Sequence, residues 1–213
     1  MIREFTLNHV WFILGAAGWT ILLTAIALFF GSILGLVLAI LRQSPNAILR
    51  VAAGSLVRVF QGVPLVVVIF MVYFGIAGGG VNVSPLMACS IGLSLFAGAF
   101  LGEIWRGAIQ AIPAQQWEAA DALGFTALER LRYAILPQAI RISMPATIGF
   151  IVQLVKGTSV ASMVGYVELM RAGQVVNGST FDSFTVFGLV ALIYLAINLP
   201  LSFLSKRLEQ VKL

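Results

Sequence analysis

A lysine stands inside an otherwise apolar stretch of this sequence, and two hydroxyl residues follow it. Lys156, Thr158 and Ser159 belong to the run LVKGTSVAS. A charged side chain in an apolar segment is costly, so it normally faces a partner group or a water-filled cavity. Two interpretations stay open for the lysine: a structural pair with an acid or a carbonyl, or a polar group on a solute pathway. The hydroxyls have their own alternative, because they can bond back to their own helix.

Glu168 is a further charged candidate, placed beyond the same apolar stretch. As a solvated carboxylate on the outer side, it is predicted to serve an outer gate or a docking surface. Catalysis finds little support, because no nucleophile and base are paired and acidic residues are scarce in the apolar runs. The single cysteine, Cys89, and the single histidine, His9, argue against a disulfide framework and a metal site. We therefore expect that the chain is not an enzyme.

The composition indicates that membrane helices position these residues. The 213 residues are 60% hydrophobic and 10% charged, with a mean hydropathy of +1.02. Several apolar stretches reach the ~20 residues that cross a bilayer, and a soluble chain of this size cannot bury so much apolar surface. The predicted fold class is an all-α integral membrane protein, with one domain over residues 1–213. The net charge of +5 is attributed to membrane orientation and not to nucleic-acid binding.

Five spans are predicted from the apolar runs and from the residues that interrupt them. They cover residues 19–41, 59–77, 85–105, 145–165 and 184–204. Ser84 and Pro85 supply an N-cap and a first-turn proline for the third span. Residues 5–17 lie too far out for the first span and are expected to form a separate surface helix. Gly62 and Pro64 interrupt the second span, where a hinge and simple packing are equal alternatives.

The basic residues divide unequally between the two sides of this arrangement. Ten of the 13 lysines and arginines follow spans one, three and five, whereas Arg3 and Arg171 lie on the other side. Because excess positive charge stays in the cytoplasm, the N-terminus is predicted to be periplasmic and the C-terminus cytoplasmic. The connection over residues 113–137 then faces the cytoplasm.

This connection has the pattern of two short helices joined by a glycine turn. Pro113 suits a first helical turn, and Gly124 suits a C-terminal stop. Thr126 and Glu129 have capping-box spacing, and the helix that they open is expected to end before Pro137. From spacing alone, an amphipathic hairpin on the inner membrane surface and a docking element are equal alternatives.

The motif EAADALG, followed after nine residues by AILPQA, resembles the EAA loop of ABC importer permeases. The matching residues are Glu118, Ala119, Ala120, Gly124, Leu136, Pro137, Gln138 and Ala139. Ala134 departs from the pattern, because a larger aliphatic is usual there. Further stretches resemble the polar amino-acid branch of these permeases, in the same order along the chain: FQGVPLVVVIFMVYFGI, GEIWRGAIQAIPAQQWEAA and KGTSVASMVGYVELMRAGQ. In the last of them, Gly157 stands where that branch has an aspartate.

The resemblance implies a type I importer permease whose residues 113–137 form a coupling helix hairpin. The residues it implies for coupling to a separate ATPase are Glu118, Ala119, Ala120, Gly124, Leu136 and Pro137. It also favours the pathway interpretation for Lys156, Thr158 and Ser159. The chain has no phosphate loop of the form G-x-x-x-x-G-K-S/T, so ATP and Mg²⁺ are expected on the partner and no cofactor in this chain.

The implied partners are two ABC ATPase subunits, a second permease subunit (identical or homologous), a periplasmic substrate-binding protein and membrane lipid. The function that follows is import of polar amino acids, or related compounds such as opines, across the bacterial inner membrane. The alternative is an ion-coupled secondary transporter, which would work without ATPase subunits. Inverted repeats within the chain would support that alternative, and none is visible in the sequence.

Overall fold

The computed structural model describes residues 4–80 and 82–210, and all regular structure within them is helical. Arg3 and Lys212, two of the charges that assign orientation, lie outside the described residues, as does Val81 in the loop after the second span. The elements, in chain order, are α1 (Leu7–Leu41), α2 (Ala47–Gly62), α3 (Leu65–Gly78), α4 (Pro85–Gln110), α5 (Ala114–Ala122), α6 (Ala127–Glu129), a π-helical segment (Arg130–Ile135), α7 (Leu136–Gly157), a 3₁₀ segment (Thr158–Val164), α8 (Leu169–Thr180) and α9 (Ser183–Gln210).

Within the described residues, four helical stretches are long and apolar enough to cross a membrane. They are Leu7–Leu41, Pro85–Gln110, Ala127–Val164 and Ser183–Gln210, and the bent pair α2 and α3 makes a fifth if it counts as one span. Large apolar side chains on these helices face outwards, among them Phe29 (62% exposed) and Leu192 (64% exposed). Such faces suit contact with lipid, so the prediction of an all-α membrane fold with about five spans is confirmed.

The prediction of a separate surface helix over residues 5–17 is wrong, because α1 is continuous from Leu7 to Leu41. No proline interrupts this stretch, and Ile13 and Ala16 are buried against other helices, which keeps the outer part of α1 in the bundle. Its 35 residues make a helix of about 52 Å, well beyond the ~30 Å of hydrocarbon. The N-terminal end of α1 therefore extends past a bilayer, or α1 tilts strongly within it.

The apolar run 59–77, predicted as one span, is divided by a 105° bend between α2 and α3. Val63 is extended, with φ −97° and ψ 132°, as expected for a residue that precedes a proline. Its N–H donates to the Val59 carbonyl at 3.0 Å and closes α2, while the Pro64 carbonyl accepts from Val67 and Val68 and opens α3. The predicted interruption at Gly62 and Pro64 is thus present, and it separates residues 59–62 from the α3 axis.

The helix that Thr126 caps was predicted to end before Pro137. In the structure it continues through the proline into α7. A π-helical segment precedes the proline, and the Leu136 N–H donates to the Leu131 carbonyl, five residues back. This wider turn accommodates Pro137, which has no N–H and whose ring would collide with the carbonyl of an ordinary α-helical turn. The fourth span is consequently part of one helical element, Ala127–Val164.

Two glycine pairs let α1 and α4 pack closely. Gly31 and Gly35 on α1 face Gly98 and Gly102 on α4. A Cβ added at Gly35 would lie 3.0 Å from the Gly102 nitrogen, and one added at Gly102 would lie 2.9 Å from the Gly35 oxygen. Small residues at this spacing allow membrane helices to approach backbone to backbone.

The buried core has a central and an outer part. The central part joins α1, α3, α4 and α7 through residues such as Leu23, Leu93 and Leu154. The outer part joins the first half of α1 to α8 and the start of α9. α8 is not among the elements predicted from the sequence, and it forms the link between these two helices.

Candidate coupling hairpin and solute cavity

The turn of the predicted hairpin is built as the sequence pattern indicates. Gly124 has φ +78°, a left-handed conformation that favours glycine. The Gly124 N–H donates to the Asp121 carbonyl at 2.9 Å, and the Phe125 N–H donates to the Ala120 carbonyl at 3.2 Å. The second bond spans five residues, as in the Schellman turn that ends many helices. α5 therefore ends in a sharp reversal.

The second arm of the hairpin begins with a complete capping box. The Thr126 N–H donates to Glu129 Oε2 at 2.9 Å, and the Glu129 N–H donates to Thr126 Oγ1 at 3.4 Å. The two bonds satisfy backbone N–H groups that the first helical turn leaves free. The expected start at Thr126 is confirmed.

Side chains tie the two arms together, and sequence analysis did not find this tie. Arg130 forms an ion pair with Asp121. Its guanidinium carbon lies 5.4 Å from the centre of the Trp117 ring, within the range of a cation–π contact. Gln138 Nε2 donates to Gln116 Oε1 at 3.1 Å, closer to the membrane end of the hairpin. The arms are thus joined along their length.

The residues predicted to couple to an ATPase fall into exposed and buried groups. Glu118, Ala119, Gly124 and Pro137 are exposed, Leu136 is half-buried, and Ala120 is only 3% exposed. Ala120 therefore lies inside the hairpin, where its small side chain lets the arms meet. Two large apolar side chains at the tip, Leu123 and Leu128, are each 73% exposed. The hairpin thus presents the Glu118 carboxylate and, at its tip, the uncovered apolar surface of Leu123 and Leu128.

Lys156 lines a cavity of about 670 Å³ between α7, the 3₁₀ segment, α8 and α9. Ser159 lines the same cavity, so the structure brings these two predicted pathway residues together. Lys156 is exposed, and no carboxylate of residues 4–80 or 82–210 forms an ion pair with it. Of the two interpretations of this lysine, the structure favours the one in which it faces a cavity.

Thr158 is set apart from the other predicted pathway residues. It is fully buried, and its hydroxyl donates to the Val155 carbonyl at 2.7 Å. The Ser159 hydroxyl bonds back in the same way, to the Lys156 carbonyl at 2.7 Å. Both hydroxyls therefore follow the alternative of bonding to their own helix, although Ser159 still lies at the cavity.

Glu168 is not the solvated carboxylate that was predicted, because its exposed fraction is 0%. It caps α8, accepting hydrogen bonds from the N–H groups of Met170 at 2.9 Å and Arg171 at 2.8 Å. The Tyr194 hydroxyl donates to it at 2.8 Å. Burial raises the pKa of the Glu168 carboxyl, and these hydrogen bonds oppose that shift. Glu168 thus fixes the start of α8 and holds a side chain of the cavity wall.

A second cavity, of about 460 Å³, lies at the bend between α2 and α3. Gly62 and Pro64, the hinge candidates, line it together with Gln61 and Gln153. Gly157 closes its far side, where an added Cβ would lie 3.0 Å from Leu65 Cδ2. An aspartate at position 157 would therefore require the end of the Leu65 side chain to shift.

An ion-pair cluster joins the predicted inner ends of α1 and α4. This cluster was not predicted from the sequence. Glu103 Oε2 accepts from Arg42 Nη1 at 2.8 Å, and the same carboxylate pairs with Arg106. Arg42 lies 61 positions before Glu103, whereas Arg106 lies 3 positions after it, so only the tertiary structure brings Arg42 to the other two. The cluster holds α1 against α4 beside the start of the hairpin.

Comparison with known families places this helical arrangement among membrane transport components. A family model described as the binding-protein-dependent transport system inner membrane component matches residues 31–211. A protein named as the probable amino-acid ABC transporter permease YckA of Bacillus subtilis is 37% identical over 87% of this chain and 82% of its own length. The probable glutamine ABC transporter permease GlnM of the same organism is 34% identical over 90% of each chain.

Solved structures agree with the same assignment. A structure of an amino acid ABC transporter with histidines superposes with a TM-score of 0.91 and 29% identity, covering 99% of both chains. The MetNI methionine ABC transporter, in an inward-facing conformation, superposes with a TM-score of 0.83 over 98% of this chain. Its identity is 22%, so this second likeness concerns the fold alone.

Proposed function

This chain belongs to the family of binding-protein-dependent transport system inner membrane components, and we propose that it is the permease subunit of an ATP-driven importer. We propose polar amino acids, or related compounds such as opines, as its cargo. In support, relatives are named as permeases for amino acids, glutamine and cystine. An ion-coupled secondary transporter is not supported, because these relatives are ABC transporter permeases.

One observation carries the mechanism: the hairpin and the cavity lysine belong to a single helical element. Ala127–Val164 starts at the hairpin turn and contains Lys156. Lys156 lies 29 positions after Ala127, or about 43 Å along the helix. A displacement of the exposed hairpin therefore reaches the cavity through one helix and needs no further connection.

The hairpin supplies the surface that an ATPase partner requires. Glu118 is exposed for an ion pair, and the exposed Leu123 and Leu128 provide apolar area that a groove on the partner covers. The capped turn and the tie from Arg130 to Asp121 keep this surface rigid, which limits the entropy lost on binding. We propose that ATP and Mg²⁺ act on that partner and that this chain carries no cofactor and no catalytic site.

The family implies ATPase and substrate-binding protein partners in general. We propose a specific assembly of two ATPase subunits, one second permease subunit and one periplasmic binding protein. We also propose a periplasmic N-terminus and a cytoplasmic C-terminus, because this orientation puts the basic residues that follow spans one, three and five in the cytoplasm.

For the pathway, we propose that Lys156 and Ser159 line the route of the cargo and that Thr158 and Glu168 support it from within the protein. Lys156 has an accessible ammonium in a cavity, so it can meet a carboxylate of a passing amino acid. Gly62 and Pro64 lie at the bend beside the second cavity, and we propose this bend as the hinge.

The test is uptake of radiolabelled L-glutamine, L-arginine and L-cystine into vesicles that contain the permease, its co-purified ATPase and the binding protein. We expect uptake to require ATP. Lys156→Met should assemble normally but lose about tenfold or more of the uptake rate, because a charge-assisted hydrogen bond is missing. Lys206→Met, the same change on an exposed residue outside the cavities, is the matched control.

Two results would contradict this account at different points. Uptake that persists without ATP, or a permease that binds no ATPase, would remove the importer function. Wild-type uptake by Lys156→Met, with ATP dependence intact, would remove only the pathway role of Lys156.

A further inference from the structure

Three polar residues of α9 line the Lys156 cavity: Tyr194, Asn198 and Ser202. They are spaced by four residues, so they form one stripe along a helix that is otherwise mostly apolar. The stripe forms the α9 wall of a cavity whose α7 side includes Lys156 and Ser159. A helix in a bilayer carries such a stripe at a cost, unless polar groups meet it.

Asn198 stands out within this stripe, because its side-chain oxygen is unused as an acceptor. The side chain is only 5% exposed. Its Nδ2 donates to the Tyr194 carbonyl at 2.8 Å, whereas Oδ1 accepts no hydrogen bond from any described residue. The bond from Nδ2 also determines the orientation of the amide, because a flip would set two oxygens against each other. Oδ1 is therefore an enclosed acceptor without a donor among the described residues, on a side chain that lines the cavity.

The neighbouring polar groups are already engaged. The Tyr194 hydroxyl donates to Glu168 at 2.8 Å, and the Ser202 hydroxyl donates to the Asn198 carbonyl at 2.9 Å. Neither of these two protons is available to Oδ1 in this arrangement. A buried acceptor that lacks a donor is unfavourable, so a native site of this kind calls for a further group that brings one, and a ligand of the cavity is one such group.

We propose that Asn198 Oδ1 accepts a hydrogen bond from the α-ammonium group of a zwitterionic amino acid whose carboxylate pairs with Lys156. This inference rests on the proposed function and adds a specificity-determining residue to it. The cavity is lined by a cation, which suits the carboxylate, and by a residue with an unused acceptor, which suits the ammonium once the Asn198 side chain turns Oδ1 towards the cavity. A solute with only one of these two charges leaves one of the two groups unmatched.

The experiment measures equilibrium binding of radiolabelled L-glutamine, L-arginine and L-cystine to the purified permease–ATPase complex without the binding protein. For each amino acid that binds, the competitor is its analogue without the α-amino group. In the wild type, we expect this analogue to compete on the order of ten- to a hundredfold more weakly, as loss of a hydrogen bond to a charged group predicts. In Asn198→Leu, the amino acid and its analogue should compete about equally, because the acceptor is absent.

Two variants control for structural damage. Asn198→Asp keeps an acceptor at the same place and should retain the preference for the amino acid. Ser205→Ala loses a hydrogen bond from α9 to the Pro145 carbonyl, outside the cavity, and should leave the preference unchanged. If Asn198→Leu does not assemble, Asn198→Ser, whose hydroxyl is set back by one bond, gives the same comparison.

An unchanged preference in Asn198→Leu or Asn198→Ser would overturn the proposal, and so would the absence of amino-acid binding to the wild-type complex. In either case, Oδ1 would be satisfied by another group, such as a lipid or the second permease subunit. ATP-dependent uptake would still stand, so failure of this inference is distinguishable from failure of the proposed function.

Discussion

Replacing Gly124 by valine tests whether the shape of the hairpin determines its affinity for an ATPase. Gly124 has φ +78°, and a Cβ at this position would meet no atom within 4 Å. The cost of the substitution is therefore backbone strain and not a collision with a neighbour. For a β-branched residue in the left-handed region, this strain is about 1–3 kcal/mol.

Of the contacts that tie the two arms, the ion pair nearest the turn is weaker than this strain. The ion pair between Asp121 and Arg130 joins side chains that are 53% and 27% exposed, and such a pair contributes about 0–1 kcal/mol. The turn should therefore relax, and the docking-competent fraction should fall. If the whole strain energy shifts the equilibrium between the docking-competent and the relaxed hairpin, the apparent affinity for the ATPase drops by about 5- to 150-fold.

The assay is a titration of the purified ATPase against the permease in lipid nanodiscs. Gly124→Asn is the matched variant, because asparagine tolerates the left-handed region, and it should retain most of the affinity. Gly188→Val, in α9 with no neighbour within 4 Å of the added Cβ, should bind as the wild type does. Wild-type affinity in Gly124→Val, or equal losses in the valine and asparagine variants, would refute the reasoning.

Two further predictions concern the bundle. Gly102→Val should lower the stability of the detergent-solubilised protein by about 1–3 kcal/mol, because its Cβ would lie 2.9 Å from the Gly35 oxygen. Thermal unfolding measures this loss. In the control Gly107→Val, the added Cβ meets no atom within 4 Å, so the unfolding temperature should change little. Because burial raises the pKa of the Glu168 carboxyl, its stabilising contribution is present at low pH and is lost as the pH rises through the raised value. Acidification from neutral pH should thus raise the unfolding temperature of the wild type more than that of Glu168→Gln, and equal responses would contradict this account.

Features that depend on neighbouring residues could be predicted from the sequence. The turn at Gly124 and the capping box from Thr126 to Glu129 are satisfied within a few residues, so their patterns are readable before the fold is known. The interruption at Pro64 is local for the same reason, although its 105° angle depends on packing against α1 and α4. The continuity through Pro137 was missed, because a π-helical turn has no sequence signal as distinct as a proline.

Features that depend on tertiary contacts could not be predicted. The outer half of α1 is held by Leu169 and Val186, which lie far along the chain, so its continuity with the span was not visible. The cap that opens α8 is a buried glutamate, and a lone Glu168 in the sequence suggests a solvated charge instead. Asn198 gave no signal either, because its unused acceptor appears only when the surrounding hydrogen bonds are known.

The central claim is that the hairpin couples a separate ATPase to transport, and Glu118→Lys tests it most directly. The measurement is the number of amino-acid molecules imported per ATP hydrolysed, in vesicles that contain the full complex. Glu118 is exposed and paired with no described residue, so its partner is expected on the ATPase. Reversing the charge strands that partner, which corresponds to about thirtyfold or more in affinity.

We predict that Glu118→Lys inserts normally and abolishes uptake, whereas Glu209→Lys, the same charge change near the end of α9, leaves the ratio of import to hydrolysis unchanged. Full uptake by Glu118→Lys, with an unchanged ratio, would contradict the account and leave the hairpin as a membrane-surface element.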